Sequence, residues 1–242
     1  MNYRKYETPD ELKAAALRKV RPEWLTEKFL DAIRQPFIYL HACAQKYNGN
    51  YCPEAFRIFR PFKIVSPQDV KVVIVAQDPY PRLEDANGIA FMVGEGKSSA
   101  SLINMKKCLK QFDRECAFKC TEYDLKPWIR QGVLLMNVTF TTKEHVSGSH
   151  GHIWKGVAGT LLEQIPKDSV ALLLGRDAKE VSGMIPSRIK IEHLHPTERS
   201  GSFYRRDIFG EVNEALVSMQ KSPINWRMHG PLIEELVAND SA

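Results

Sequence analysis

Four short apolar runs, rich in β-branched residues, punctuate the chain between residues 70 and 195. They are Lys71–Ala76 (KVVIVA), Val133–Thr139 (VLLMNVT), Val170–Leu174 (VALLL) and Ile189–His193. Runs of this length and type predict strands, and apolarity on both sides predicts burial of both faces. Helical patterns fall between them at about Ser101–Phe112, Gly156–Ile165 and Asp177–Met184, with another after Phe209. The N-terminal third reads as helical. Thr8-Pro9-Asp10-Glu11 offers a cap residue, a proline in the first turn and an acid three residues after the cap, opening a helix to about Lys19. Further helices are expected at Glu23–Arg34 and Ile38–Tyr47, followed by an irregular, aromatic-rich connection to Pro67. Strands alternating with helices predict an α/β fold with a central, mainly parallel four-stranded sheet flanked by helices. Residues 1–242 are read as one domain, of which 1–50 form an N-terminal helical part.

Composition narrows the class. The 242 residues suffice for one sizeable core, and 43% hydrophobic with 26% charged residues excludes a disordered, collagen-like or membrane-embedded chain. Lys and Arg outnumber Asp and Glu by 34 to 29, a net charge of +5 that suits a polyanionic partner without requiring one. The first twenty residues are charged throughout, which argues against a signal peptide, and Asp10 and Glu11 argue against a transit peptide. No window approaches the ~18 apolar residues that would span a bilayer. The five cysteines are an odd number, pointing to a reducing compartment, so an intracellular site, cytoplasmic or nuclear, is expected. Cys116 and Cys120 sit four apart but have no second close pair. His150-Gly151-His152 and His193-Leu194-His195 lack a pattern of carboxylates or thiolates around them. No metal and no cofactor are expected.

In open parallel sheets, ligands bind at the carboxyl ends of the strands. Those ends carry Gln77-Asp78-Pro79-Tyr80, Asn137, Gly175-Arg176 and His195-Pro196. Each has an ordinary explanation taken singly: a turn, a satisfied buried amide, a capping histidine. Together they would bring an acid, an amide, a phenol and an imidazole to one rim, the arrangement of a reactive site.

At these residues the sequence resembles family 1 uracil-DNA glycosylases. Ala76-Gln77-Asp78-Pro79-Tyr80 is similar to the family's water-activating motif, usually GQDPYH, and His195-Pro196-Thr197 to its HPS motif. Asn87-Gly88-Ile89-Ala90-Phe91 matches the uracil-stacking segment, and Gln131–Asn137 the segment with the uracil-reading asparagine. Ser149-His150 through Trp154 and Pro223-Ile224-Asn225-Trp226 match in order, so the resemblance covers roughly Pro53 to Trp226.

The resemblance implies hydrolytic removal of uracil from single- and double-stranded DNA, opening base-excision repair. Asp78 would stabilise the developing sugar cation and orient the attacking water, while His195, as a neutral donor, would stabilise the departing uracil anion. Asn137 would read the base edge and Phe91 would stack on the flipped base. Tyr80 would exclude the thymine methyl, and Gln77 would contact uracil through its backbone amide. Ser101, whose ordinary role is a helix N-cap, would also meet a flanking phosphate, as would Gly175, Thr197 and Ser200. Arg176 stands where the family commonly has serine and would contact phosphate or face solvent. A monomer acting on uracil-containing DNA, with no membrane, is expected. The rival reading is a DNA-binding or polymerase-accessory module that keeps the fold with little turnover.

Departures from the family pattern cluster in the DNA-facing loops. Ala76 replaces a glycine and Pro81 a histidine, and the proline-rich loop is here Gly96-Lys97-Ser98-Ser99-Ala100. Thr197-Glu198-Arg199-Ser200 stands where the family has Ser-Pro-Leu-Ser, so the intercalating leucine is missing. Arg199 takes its place, either as a stacking wedge or as a phosphate contact. These loops also resemble the poxviral members.

Overall fold

The computed structural model describes residues 3–47, 50–94, 97–112 and 124–226; Cys116, Cys120 and Gly96 lie outside them. The four expected strands are present as β2 (Val72–Ala76), β3 (Val133–Asn137), β5 (Val170–Leu174) and β6 (Ile189–His193). All pair in parallel, in the order β3-β2-β5-β6. Val72–Val75, Val133–Met136 and Val170–Leu173 are fully buried. Each such side chain contributes roughly 1.5–3 kcal/mol through removal from water, which is why uninterrupted apolar runs occupy these positions. β6 is an edge strand and alternates instead, with Lys190 and Glu192 exposed on either side of buried Ile191.

Helices α4 (Ala100–Phe112), α6 (Gly151–Leu162), α7 (Arg176–Glu180) and α8 (Ile208–Ser218) follow the strands, as the alternation predicts. α6 opens five residues before the expected start at Gly156 and ends at Leu162, three before the expected Ile165. The expected Asp177–Met184 helix ends at Glu180 and resumes as a single tight turn, Ser182–Met184. A five-residue helix, α5 (Lys126–Arg130), is too short to show periodicity in sequence.

At the N-terminus, α1 (Pro9–Leu17) starts where the cap signal places it, with the Glu11 N–H donating to Thr8 Oγ1 at 3.1 Å. The expected Glu23–Arg34 helix is broken. Pro22–Trp24 forms a tight turn that buries Trp24 and aims its Nε1–H at the Val65 carbonyl, 2.8 Å away. Thr26 then caps α2 (Glu27–Ala32), and α3 (Arg34–Tyr47) begins four residues earlier than expected, accepting Pro36 in its first turn. Burial of one indole with its hydrogen bond satisfied overrides the helical period. Phe37 from α3, Phe59, Phe140 and Trp154 make edge-to-face contacts with ring centroids 5.2–6.3 Å apart, joining the N-terminal helices to the sheet's core.

A second, two-stranded sheet was not legible in sequence. β1 (Tyr51–Cys52) pairs antiparallel with β4 (Thr142–Lys143). It is anchored by a buried polar chain: Trp154 Nε1–H donates to Thr141 Oγ1 at 2.6 Å, and the same hydroxyl is hydrogen-bonded to His150 Nδ1 at 2.8 Å. Burial pushes the His150 imidazole down to about 4 and keeps it neutral. An unfolded histidine titrates near 6.5, so this ribbon's stability is complete above about pH 6.5 and declines as pH falls toward 4. His150→Gln removes that titration. The unfolding free energy of the wild type relative to His150→Gln should fall by about 3 kcal/mol between pH 7 and pH 4 in urea titrations. Parallel pH profiles for the two proteins would contradict a buried neutral imidazole.

Candidate active site

The site grows from the register of β2 on β3. Ala76 lies opposite Asn137, and the Val138 and Thr139 N–H groups donate to the Ala76 and Gln77 carbonyls at 2.9 Å. The pairing therefore continues past the strand ends, delivering Gln77, exposed, and Asp78, half-buried, beside Asn137. Asp78 Oδ2 accepts from Ser147 Oγ at 2.8 Å and from the Gly148 N–H at 2.5 Å. Two donors on one oxygen fix the plane of the carboxylate. Those donors lie on the loop after β4. The Lys143 N–H bonds Ser149 Oγ at 2.8 Å, Thr142 Oγ1 bonds the Val146 carbonyl at 2.6 Å, and the His145 N–H reaches back to the Pro81 carbonyl at 2.6 Å.

Asn137 closes β3 with only 6% of its surface exposed, and its Oδ1 is buried with no hydrogen-bond partner among the described residues. An unpaired buried amide oxygen costs roughly 1–3 kcal/mol, and Asn137 shares this state with Asn50 and Asn87; of the three it alone closes a strand of the parallel sheet.

The Phe91 side of the rim is built by a strained turn. Gly88 has φ +87°, and a Cβ there would meet the Arg57 carbonyl oxygen at 1.9 Å. The turn sends the Ala90 N–H to the Leu135 carbonyl of β3 at 3.4 Å and leaves Phe91, itself at φ +65°, 5% exposed. The Tyr80 hydroxyl lies 3.5 Å from the Phe91 carbonyl, and burial pushes its phenol up, so it stays neutral. Ser99, not Ser101, caps α4, through the Leu102 N–H at 3.2 Å. Ser101 sits buried one residue inside the helix, near the Tyr80 hydroxyl, which corrects the expectation that it opens the helix.

Phe91 faces His195, with ring centroids 6.3 Å apart and planes at 42°. The Thr197 N–H donates to His195 Nδ1 at 3.2 Å, and Thr197 Oγ1 lies 2.8 Å from the same nitrogen. A backbone N–H can only donate, so Nδ1 carries a lone pair and the neutral ring bears its proton on Nε2. Gly175, at φ +91°, lets the end of β5 approach this ring, since a Cβ there would lie 3.0 Å from His195 Cβ. Asn104 of α4 pins the loop by donating to the Pro196 carbonyl at 2.7 Å.

The structure thus brings Gln77, Asp78, Tyr80, Phe91, Asn137, Gly175 and His195 to one rim. Arg176, Thr197, Arg199 and Ser200 are exposed around it, and the Ser200 N–H donates to the Glu198 carboxylate at 2.9 Å. Ser147, Gly148 and Asn104 escaped the sequence reading; each acts across about 70 or more residues, and no local spacing signals it. His193 Nε2 bonds the Phe203 carbonyl at 2.7 Å, and no cluster of three His, Cys, Asp or Glu suited to a metal occurs among the described residues.

Residues 62–238 match the model of the uracil DNA glycosylase superfamily. A uracil-DNA glycosylase of Corynebacterium efficiens is 34% identical over 86% of this chain and 91% of its own length. That of Amoebophilus asiaticus is 32% identical over 86% of this chain and 98% of its own. In structure, mimivirus uracil-DNA glycosylase superposes with a TM-score of 0.78 at 24% identity, covering 90% of this chain and 91% of that one.

The Gly88 turn supplies a direct test of this geometry. Gly88→Ala, forced into positive φ against the Arg57 carbonyl, should lower the unfolding free energy by about 2–4 kcal/mol in urea titrations. A loss below about 1 kcal/mol, the scale of an ordinary substitution, would mean that the turn does not depend on glycine.

Proposed function

The chain belongs to the uracil DNA glycosylase superfamily, and from that premise we propose that it excises uracil from DNA by hydrolysing the N-glycosidic bond of a flipped deoxyuridine. This is the first step of base-excision repair. The observation that carries the reading is the unpaired Asn137 amide oxygen, buried at the same rim as the doubly anchored Asp78 carboxylate and the Nε2-protonated His195. Uracil presents an N3–H donor beside the O4 acceptor. A carboxamide matches that pair, and cytosine inverts it.

Bond cleavage leaves cationic character on the sugar and negative charge on uracil. Asp78 stabilises the first and orients the attacking water. Its anchoring by Ser147 and Gly148 means that no reorientation is needed as charge develops. His195 donates from Nε2 to uracil O2, while the Thr197 amide on Nδ1 holds the ring in that tautomer. Phe91 stacks on the base, Tyr80 occupies the space of a 5-methyl group, and Gln77 contributes its backbone amide. Ser101, Gly175, Arg176, Thr197 and Ser200 hold the flanking phosphates, and Arg199 fills the gap left by the flipped nucleotide. The N-terminal helices share the sheet's core, which supports a single domain, and the rim is built within one chain, which supports action as a monomer. No helix among the described residues is long and apolar enough to cross a membrane, and a DNA substrate supports an intracellular site.

Alkali cleavage of uracil-containing oligonucleotides tests the activity. The protein should create abasic sites in both single and double strands, and Asp78→Asn should slow this by about 10²–10⁴-fold. Tyr80→Ala should admit thymine and Asn137→Asp should admit cytosine, each with a reduced rate on uracil. Removing the wall against one methyl group is worth about 1–3 kcal/mol of discrimination when the pocket is accommodating, and more when it is rigid. A protein that binds DNA and releases no uracil would instead be the accessory module.

Duplex and single-stranded substrates distinguish the two roles open to Arg199. As a wedge, its loss in Arg199→Ala should slow duplex substrate much more than single-stranded substrate, with partial recovery in Arg199→Leu. Equal losses on both substrates, with a salt slope lower by about 1, would make it a phosphate contact.

A further inference from the structure

We propose that Glu198 is a built-in competitor for the anion cradle of the loop after His195, so that DNA must displace this carboxylate before the loop can grip a phosphate. The proposal rests on the reading of Ser200 as a phosphate ligand, and adds a residue that the reading does not include.

The Ser200 N–H donates to both Glu198 carboxylate oxygens at 2.9 Å, and the Ser200 hydroxyl donates to the same group. The Ser202 N–H donates to Ser200 Oγ at 3.2 Å and Ser202 Oγ lies 2.8 Å from the same oxygen, so with its one proton on Glu198 the Ser200 hydroxyl accepts from Ser202 on both contacts. An amide and a hydroxyl converging on two anionic oxygens make up an anion site, and a phosphate diester offers the same pair of oxygens. The hydrogen bonds from Ser200 also lower the Glu198 pKa, so the occupant is ionised. A phosphate and a carboxylate cannot share these donors, because two like charges at that spacing repel. Glu198 reaches the cradle from only two residues away and lies on an exposed loop, so it can swing aside without moving the His195 ring, which is held separately by Thr197. The same carboxylate recaptures the cradle when the DNA leaves, which weakens DNA binding and speeds release of the abasic product. A proline at this position, as in the family pattern, has no such group.

A double-mutant cycle on the full-length protein tests this. Dissociation constants for a uracil-free single-stranded oligonucleotide, and KM for a uracil-containing one, would be measured for wild type, Glu198→Ala, Ser200→Ala and the double variant at low and high salt. Glu198→Ala should tighten binding about 5–10-fold and lower KM in parallel, an effect of the size expected when a charged hydrogen-bonding competitor is removed. Ser200→Ala should cost about twofold or less in the wild type, where it removes ligand and competitor contacts together, and about tenfold in the Glu198→Ala background. Additive effects that fade at high salt would reduce Glu198 to general repulsion and overturn the proposal. So would weaker binding in Glu198→Ala. Failure of the functional reading looks different: the wild type itself would release no uracil, whatever residue stands at 198.

Discussion

Parallel pairing of β2 with β3 and β5 is the constraint on which the site depends. Because the four strands run the same way, their carboxyl ends share one edge, and every loop leaving them must turn over the same surface. The register then sets which residues meet. Ala76 opposite Asn137 puts the loop that carries Asp78 beside the Asn137 amide. A slip of one residue would turn Asn137 toward the other face of the sheet and bring an aliphatic side chain in its place. Register is held here by burial on both faces, since any slip would also mismatch the Val72–Val75 packing. The reactive geometry is in this sense inherited from the hydrophobic core.

Refinement of that geometry comes from backbone groups. The Gly148 amide fixes the Asp78 carboxylate, the Thr197 amide selects the His195 tautomer, and the positive-φ glycines 88 and 175 allow approaches that any side chain would block. Backbone donors have no rotamers to lose and do not titrate, so they hold reactive groups at little entropic cost. Around this rigid centre the DNA-facing loops differ from the family pattern. On the proposed function, the centre would fix the chemistry and the loops would set how the DNA is gripped.

The sheet was legible because buried parallel strands must be continuously apolar, and the helix cap at Thr8 announces itself locally. The residues of the rim were legible through a family resemblance and the rule that strand ends carry chemistry. Three things were not. The break at Trp24 depends on the Val65 carbonyl, 41 residues away, and a helical period carries no sign of it. The ribbon of β1 and β4 is two residues wide, shorter than any period can register. Ser147 gains its role only because that ribbon folds over the Asp78 loop, a contact across 69 residues. Ser101 was misplaced by two residues because Ser98, Ser99 and Ser101 are all plausible caps, and only the backbone path chooses Ser99.

The alternation in β6 has a consequence for the chain in a crowded solution. An edge strand offers unpaired backbone groups to any extended segment that drifts alongside, and the other three strands are continuously apolar, with β2 of the β-branched kind that templates fibrils. Lys190 and Glu192 put charge at alternate positions of this edge, and both are already engaged, with the Ser182 carbonyl and with Lys179. A strand docking here would have to strip water from both charges and part them from these partners. The two charges thus act as gatekeepers of this edge of the sheet.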